Sequence, residues 1–222
     1  MGGVVSVLAF LPPERERAKL HEHEATVHLR TETGDTVPAV GLWPNDKKTR
    51  GSRLIIIYSH GNAEVRQHTR IYFIGFRHPI ELAHPRCYHC WCPSNFTHNL
   101  RIAKDLTQGW PELQRYADML GVPVFGFDYP GYGTSTGRPT EVGCFAAARA
   151  VWAHVREQEP QAKIVLWGRS LGSGPAVHMA ATSRPAEPLD QNSPLAGLVL
   201  QSPVASCVGT VLGKAGVRRS AR

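Results

Sequence analysis

Gly168-Arg169-Ser170-Leu171-Gly172 follows an apolar run, Lys163-Ile164-Val165-Leu166-Trp167, and opens a small-residue-rich stretch from Gly172 to Ala181. Strand, tight turn and helix in that order present the central serine above a sheet. The turn is so sharp that side chains two residues before and two after the serine would collide, which accounts for both glycines. The Ser170 hydroxyl then stands at a helix N-terminus, where the dipole favours developing negative charge. The chemistry this suits is nucleophilic attack on a carbonyl carbon. A G-x-S-x-G match alone recurs by chance; its weight comes from the flanking strand and helix, against a plain strand-to-helix turn as the bland alternative.

A second segment, Ser59-His60-Gly61-Asn62-Ala63, follows the apolar run Leu54-Ile55-Ile56-Ile57-Tyr58. An oxyanion formed at Ser170 needs two donors. The backbone N–H of Leu171 is one, and an N–H of this loop, Asn62 or Ala63, is the other. Gly61 lets the backbone approach closely. His60 sits on the wrong loop for a general base and reads as a loop brace. In Phe127-Asp128-Tyr129-Pro130-Gly131-Tyr132-Gly133, Asp128 and Tyr132 read as shaping the wall of the site. Such chemistry calls for no cofactor.

These loops must hang on a scaffold. Residues 24–31 alternate as a strand, Thr33-Gly34-Asp35 turns, and Val37, Val40 and Leu42 mark a second strand that Pro38 would hold at a sheet edge. Leu54 to Tyr58 reads as a strand buried on both faces, Val122 to Phe127 as another buried strand, and Lys163 to Trp167 and Gly197 to Gln201 as further strands. Trp110 to Leu120 has helical spacing with Gly121 as its stop, and Thr140 caps a helix running to about Gln158. Strands alternating with helices imply a mostly parallel sheet with helices on both faces, its chemistry in the loops after Tyr58, Phe127 and Trp167.

Hydrophobic residues make up 42% and charged residues 19% of the 222, a composition for one globular domain. The net charge is +7, but Val65 to Lys104 holds six basic residues against one acid, so five of the seven charges fall there. No basic stripe interleaved with aromatics remains elsewhere, which argues against nucleic acid as a partner. Five cysteines give no disulfide framework; Cys144 and Cys207 fit buried thiols, and Cys87, Cys90 and Cys92 crowd into the same odd segment. A zinc site built from these with His84, His89 or His98 lacks a second well-spaced pair. Met1-Gly2-Gly3-Val4-Val5-Ser6 fits the N-myristoylation pattern, with Gly2 as acceptor, and fits an ordinary start peptide equally well. With no apolar run long enough to span a bilayer, the expectation is a cytoplasmic protein, carried to a membrane surface if Gly2 is acylated.

His60-Gly61-Asn62-Ala63, Asp128-Tyr129-Pro130-Gly131-Tyr132-Gly133, Gly168-Arg169-Ser170-Leu171-Gly172 and Gln201-Ser202-Pro203 together resemble the alpha/beta-hydrolase domain-containing protein 17 family over residues 24–64 and 105–207. The resemblance implies an α/β-hydrolase fold and a membrane-associated serine hydrolase that removes palmitate from protein cysteines. It implies Ser170 as nucleophile, Leu171 with Asn62 or Ala63 as oxyanion hole, and an acylated protein or small acyl ester or thioester as substrate. That family attaches to membranes through cysteines near its N-terminus, and this chain has none there.

The resemblance also implies an acid and a histidine after the nucleophile. No Asp or Glu follows Asp190 and no His follows His178, so the expectation is a fold incomplete at the C-terminus, inactive as written, with strand Leu198 to Gln201 left as an open, aggregation-prone edge. The alternative class is a non-catalytic protein that binds acyl chains or a partner. The organisation expected is a segment 1–23, a partial hydrolase domain 24–207 with an irregular insert 65–104, and a basic tail 208–222. Removing the insert joins Glu64 to Asp105 and restores the family spacing. Valine codons begin GT and one lysine codon ends AG, so an in-frame retained intron from the Val65 to the Lys104 codon is expected. Sequencing the transcripts checks this: the intron is real only if messages lacking codons 65–104 occur.

Overall fold

The computed structural model describes residues 23–45, 53–61, 71–75, 105–183 and 193–203. Its elements in chain order are β1 (Thr26–Arg30), β2 (Thr36–Leu42), β3 (Leu54–Ser59), β4 (Ile71–Gly75), α1 (Leu106–Leu120), β5 (Val124–Phe127), α2 (Glu141–Gln158), β6 (Lys163–Arg169), a 3-10 turn (Ser170–Gly172), α3 (Ser173–Thr182) and β7 (Leu195–Gln201). The strands form one sheet in the order β1-β2-β5-β3-β6-β7-β4. The Ile-rich β3 lies inside the sheet, parallel to β5 on one side and β6 on the other, as its apolar residues on both faces require.

Alternation along the strands divides the core in two. Ile55, Ile57, Ile164 and Leu166 pack on one face with Ala147 and Val151 of α2 and Ala176 and Met179 of α3. Ile56, Tyr58, Val165 and Trp167 pack on the other with Leu113, Tyr116 and Ala117 of α1. The expected sheet with helices on both faces is what forms. Thr140 caps α2 as expected, accepting from the Gly143 amide at 3.0 Å, and Cys144 is a buried thiol.

Three expectations change. Pro38 does not hold β2 at an edge, because β2 lies between β1 and β5. The Pro38 carbonyl accepts from the Asp128 amide at 3.1 Å, just past the last β2–β5 register pair, Ala39 with Phe127. The bond that the proline forgoes is therefore a terminal one. Helix α1 begins at Leu106, ahead of Trp110, because the Asp128 carboxylate accepts from the Leu106 amide at 2.7 Å. The segment 65–104 is not irregular throughout: Ile71–Gly75 forms β4 and pairs antiparallel with β7, Ile71 opposite Gln201. The apolar edge of β7 is thus covered, where an open edge was expected.

Helix α3, which follows Ser170, is pinned to the opposite side of the sheet from α1. Arg149 of α2 bonds the His178 Nε2 at 2.8 Å and also pairs with Glu32 in the β1–β2 turn. His178 stacks on Phe145, ring centroids 4.0 Å apart. Burial first, and the Arg149 cation second, hold the His178 imidazole below its ordinary value, against the pull of Glu141 and Glu32. The folded state then binds fewer protons at His178 than the unfolded chain. The stability this contributes is complete above about pH 6.5, the unfolded value, and is lost as pH falls below it. The melting temperature is therefore expected to drop on acidification from about pH 7 to 5, and a His178→Gln variant to show a flatter profile in thermal melts; parallel profiles would sink the clamp.

Candidate active site

The end of β6 turns directly into helix at Ser170. Its φ is +47°, in the left-handed region that a residue with a Cβ enters at a cost of about 1–2 kcal/mol. Among the described residues it shares this property, outside glycine, only with Ser202, whose φ is +48°. The surroundings hold it there. Ser173 Oγ donates to the Ser170 carbonyl at 2.5 Å. A Cβ on Gly168 would lie 2.5 Å from the Gly172 carbonyl oxygen and 2.7 Å from the Ala176 Cβ. One on Gly172 would overlap the Ser59 carbonyl oxygen and stand 2.7 Å from that of His60. The two glycines are required by close approach, as the sequence implied.

The loop after β3 meets this turn from the side. A Cβ on Gly61 would be 3.1 Å from the Ser170 Cβ and 3.2 Å from the Arg169 carbonyl. Two of the expected pieces, the loop opened by Ser59-His60-Gly61 and the Ser170–Leu171 turn, are thus brought into contact. Ser170 is half-buried and Leu171 is buried. Asn62, Ala63 and Gly2 lie outside the described residues.

His60 behaves as a brace. Its Nδ1 lies 2.9 Å from the Gly61 carbonyl and its Nε2 3.2 Å from Asp128 Oδ1, close but out of line for a full hydrogen bond. The ring stacks on Tyr129 at 4.4 Å, and the Tyr129 hydroxyl donates to the His60 carbonyl at 2.7 Å. Asp128 is fully buried, and burial pushes its carboxyl up against the opposing pull of His60. Tyr132, packed edge-on to His60 and Tyr129, completes the wall. The two imidazole nitrogens face the Gly61 carbonyl and the Asp128 carboxylate.

Sequence reasoning missed a polar layer beneath the turn, on the α1 face. Arg169 is 7% exposed, and along β6 it shares a face with Trp167, which packs in the cluster on α1. Glu112 of α1 accepts from Tyr116 at 2.7 Å. A cavity of about 20 Å³, room for one water, is lined by Tyr58, His60, Asp105, Glu112 and Tyr116 among others, and its lining does not include Ser170. Gln201, beside Arg169 in register, is fully buried, and neither amide atom has a partner among the described residues. An arginine inside a G-x-S-x-G motif gives no local sign of which way it points.

Residues 97–213 match the family model described as alpha/beta hydrolase fold. The chain belongs to that family. It is 26% identical over 205 residues to the alpha/beta hydrolase domain-containing protein aho-3 of Caenorhabditis elegans, covering 91% of this chain and 52% of that protein. It is 25% identical over 214 residues to the lysophosphatidylserine lipase ABHD12 of Danio rerio, covering 90% and 44%. To the human alpha/beta hydrolase domain-containing protein 17B it is 38% identical over 61 residues, 26% of this chain and 21% of the relative. The chain spans about half the length of aho-3 and of ABHD12. The family 17 resemblance therefore carries the superfamily, while the matches to aho-3 and ABHD12, which span most of the chain, run to other branches. No helix among the described residues is long and apolar enough to cross a membrane.

Gly34 tests the packing argument, since its φ is positive, at +88°, while nothing lies within 4 Å of the position a Cβ would take. Gly34→Ala is expected to cost only backbone strain, about 1–2 kcal/mol. Gly172, with a φ of −63°, carries no such strain, but Gly172→Ala must move the Ser59 carbonyl and is expected to cost more than about 3 kcal/mol in urea unfolding; a cost no larger than that of Gly34→Ala would mean that β3 and the turn are not in contact.

Proposed function

We propose that this chain carries the nucleophilic half of a serine hydrolase acting on acyl esters or thioesters. Ser170 is the nucleophile, and the amides of Leu171 and of Asn62 or Ala63 form the oxyanion hole. The observation that carries the reading is the Ser170 φ of +47°, maintained by the collision-tight glycines on either side. In this reading Ser170 Oγ attacks the acyl carbonyl, the alcohol or thiol leaves with a proton, and water then releases a carboxylic acid from the acyl-enzyme. The Leu171 amide belongs to the first turn of a helix, whose N–H groups lack intrahelical acceptors.

For the substrate, the motif resemblance supports a protein S-palmitoyl thioester. A lysophospholipid ester is the second reading, supported by the long match to a lysophosphatidylserine lipase. Competition of palmitoyl-thioester peptide and lysophosphatidylserine against a fluorophosphonate probe separates the two. An acyl-protein substrate, with or without a lipid on Gly2, would bring the protein to a membrane surface.

Labelling of Ser170 by the probe, slow on residues 1–222 alone for want of a base and lost in Ser170→Ala, is the expected result. Silence would favour the non-catalytic reading, a protein that binds acyl chains or a partner. Within these 222 residues no Asp or Glu follows Asp190 and no His follows His178, which is itself tied to Arg149. Residues 1–222 alone are therefore expected to turn over thioesters only at the residual level of an oxyanion hole and binding, about 10³–10⁴-fold over water. Robust turnover abolished by Ser170→Ala would show that a base lies within them.

A further inference from the structure

Among the described residues, a positive φ falls on glycine five times and on another residue type twice, at Ser170 and Ser202. The two exceptions are neighbours. Arg169 and Gln201 are the last register partners of the parallel strands β6 and β7, and adjacent strands lie about 4.8 Å apart. Ser170 and Ser202 therefore leave the sheet side by side, with φ of +47° and +48°.

Nothing local asks for this conformation at Ser202. Pro203 follows it, and a residue before proline is steered to extended backbone. Glycine would make the same turn without a Cβ to strain it. Gln201 is fully buried and paired with Arg169 on one side and Ile71 on the other, so β7 cannot slide to relieve its end. Ser202 itself is exposed. A strained residue that keeps its hydroxyl in water, at the carboxyl end of a parallel strand and beside Ser170, stands where a ligand is met.

The strand order indicates which part of a ligand that is. In the sheet, β6 lies between β3 and β7. Gly61, after β3, packs against the Ser170 Cβ, so an oxyanion held by the loop that Gly61 opens lies on the β3 side. A carbonyl carbon bonded to Ser170 Oγ then has two groups left to place, the acyl chain and the leaving group, and one of them faces β7. An exposed hydroxyl suits the polar one, since an apolar chain laid against it would strip its water and return no hydrogen bond. We infer that the Ser202 hydroxyl hydrogen-bonds the leaving group of the substrate, on the side of Ser170 away from the oxyanion loop. The inference rests on Ser170 as nucleophile. It makes Ser202 a selector for what the acyl group is attached to, and not for the length of the chain.

Two ligands with one acyl chain separate these roles. S-hexanoyl-N-acetylcysteine carries an amide and a carboxylate on its leaving group; methyl hexanoate carries neither. Binding is titrated by ligand-observed NMR on residues 1–222 bearing Ser170→Ala, which keeps both ligands intact. Adding Ser202→Ala is expected to weaken the thioester about fivefold, the size of one neutral hydrogen bond, and to leave methyl hexanoate within about twofold. Urea unfolding with Ser170 intact reads the strain: Ser202→Gly is expected to raise the midpoint, and Ser202→Ala to leave it in place. Binding of neither ligand, equal loss of both or loss of neither overturns the inference. So does a midpoint lowered in both variants, the sign of a structural tie. Fluorophosphonate labelling at Ser170 is followed in parallel. Labelling without discrimination between the ligands keeps the nucleophile and loses the Ser202 contact; discrimination without labelling keeps Ser202 as a binding residue and loses the nucleophile.

Discussion

The site is organised by a contact between two stretches of backbone. The Ser59 carbonyl at the end of β3 and Gly172 after the turn of β6 lie so close that a methyl group does not fit between them. Two parallel neighbours must end at the same level for this to occur, which the pairing of Ser59 with Gly168 provides. From that contact the rest follows. Gly61 is placed against Ser170, the turn is compressed into left-handed backbone, and the first amides of α3 are directed toward the space above the sheet. The helices and outer strands serve to keep β3 and β6 in that register.

Two buried polar assemblies secure the contact from different sides. Above, His60 is clamped among Tyr129, Tyr132 and the Asp128 carboxylate, which also caps α1 through Leu106. Below, Arg169, Tyr58, Glu112 and Tyr116 occupy the α1 face. Both recruit α1, a helix with no residue at the nucleophile. Isolated polar groups at this depth would be costly; linked into networks, they select one arrangement of loop and strand over its neighbours.

Much of this was legible in the sequence because it is local. The continuous apolar runs of β3, β5 and β6, the Thr140 cap of α2 and the glycines around Ser170 each announce themselves within a few residues. What was not legible depends on distant partners. The start of α1 is fixed by Asp128, 22 residues away in sequence. Pro38 is tolerated inside the sheet because of where β5 happens to stop. The inward direction of Arg169 depends on which face of β6 packs on α1, a helix between β4 and β5. Strand β4 sits in a stretch whose charge and cysteine content mask Ile71-Tyr72-Phe73-Ile74-Gly75, five residues that pair readily once an edge is offered.

That edge strand has a cost in time. Ile71 lies opposite Gln201, so β4 is synthesised 130 residues before the last of its partner. At translation speeds of about 5–20 residues per second, it waits on the ribosome for about 6–26 seconds as an unpaired ribbon. During that interval chaperones and neighbouring nascent chains compete for the same hydrogen-bonding groups. Yield in the cell therefore depends on elongation rate as well as on the stability of the finished sheet.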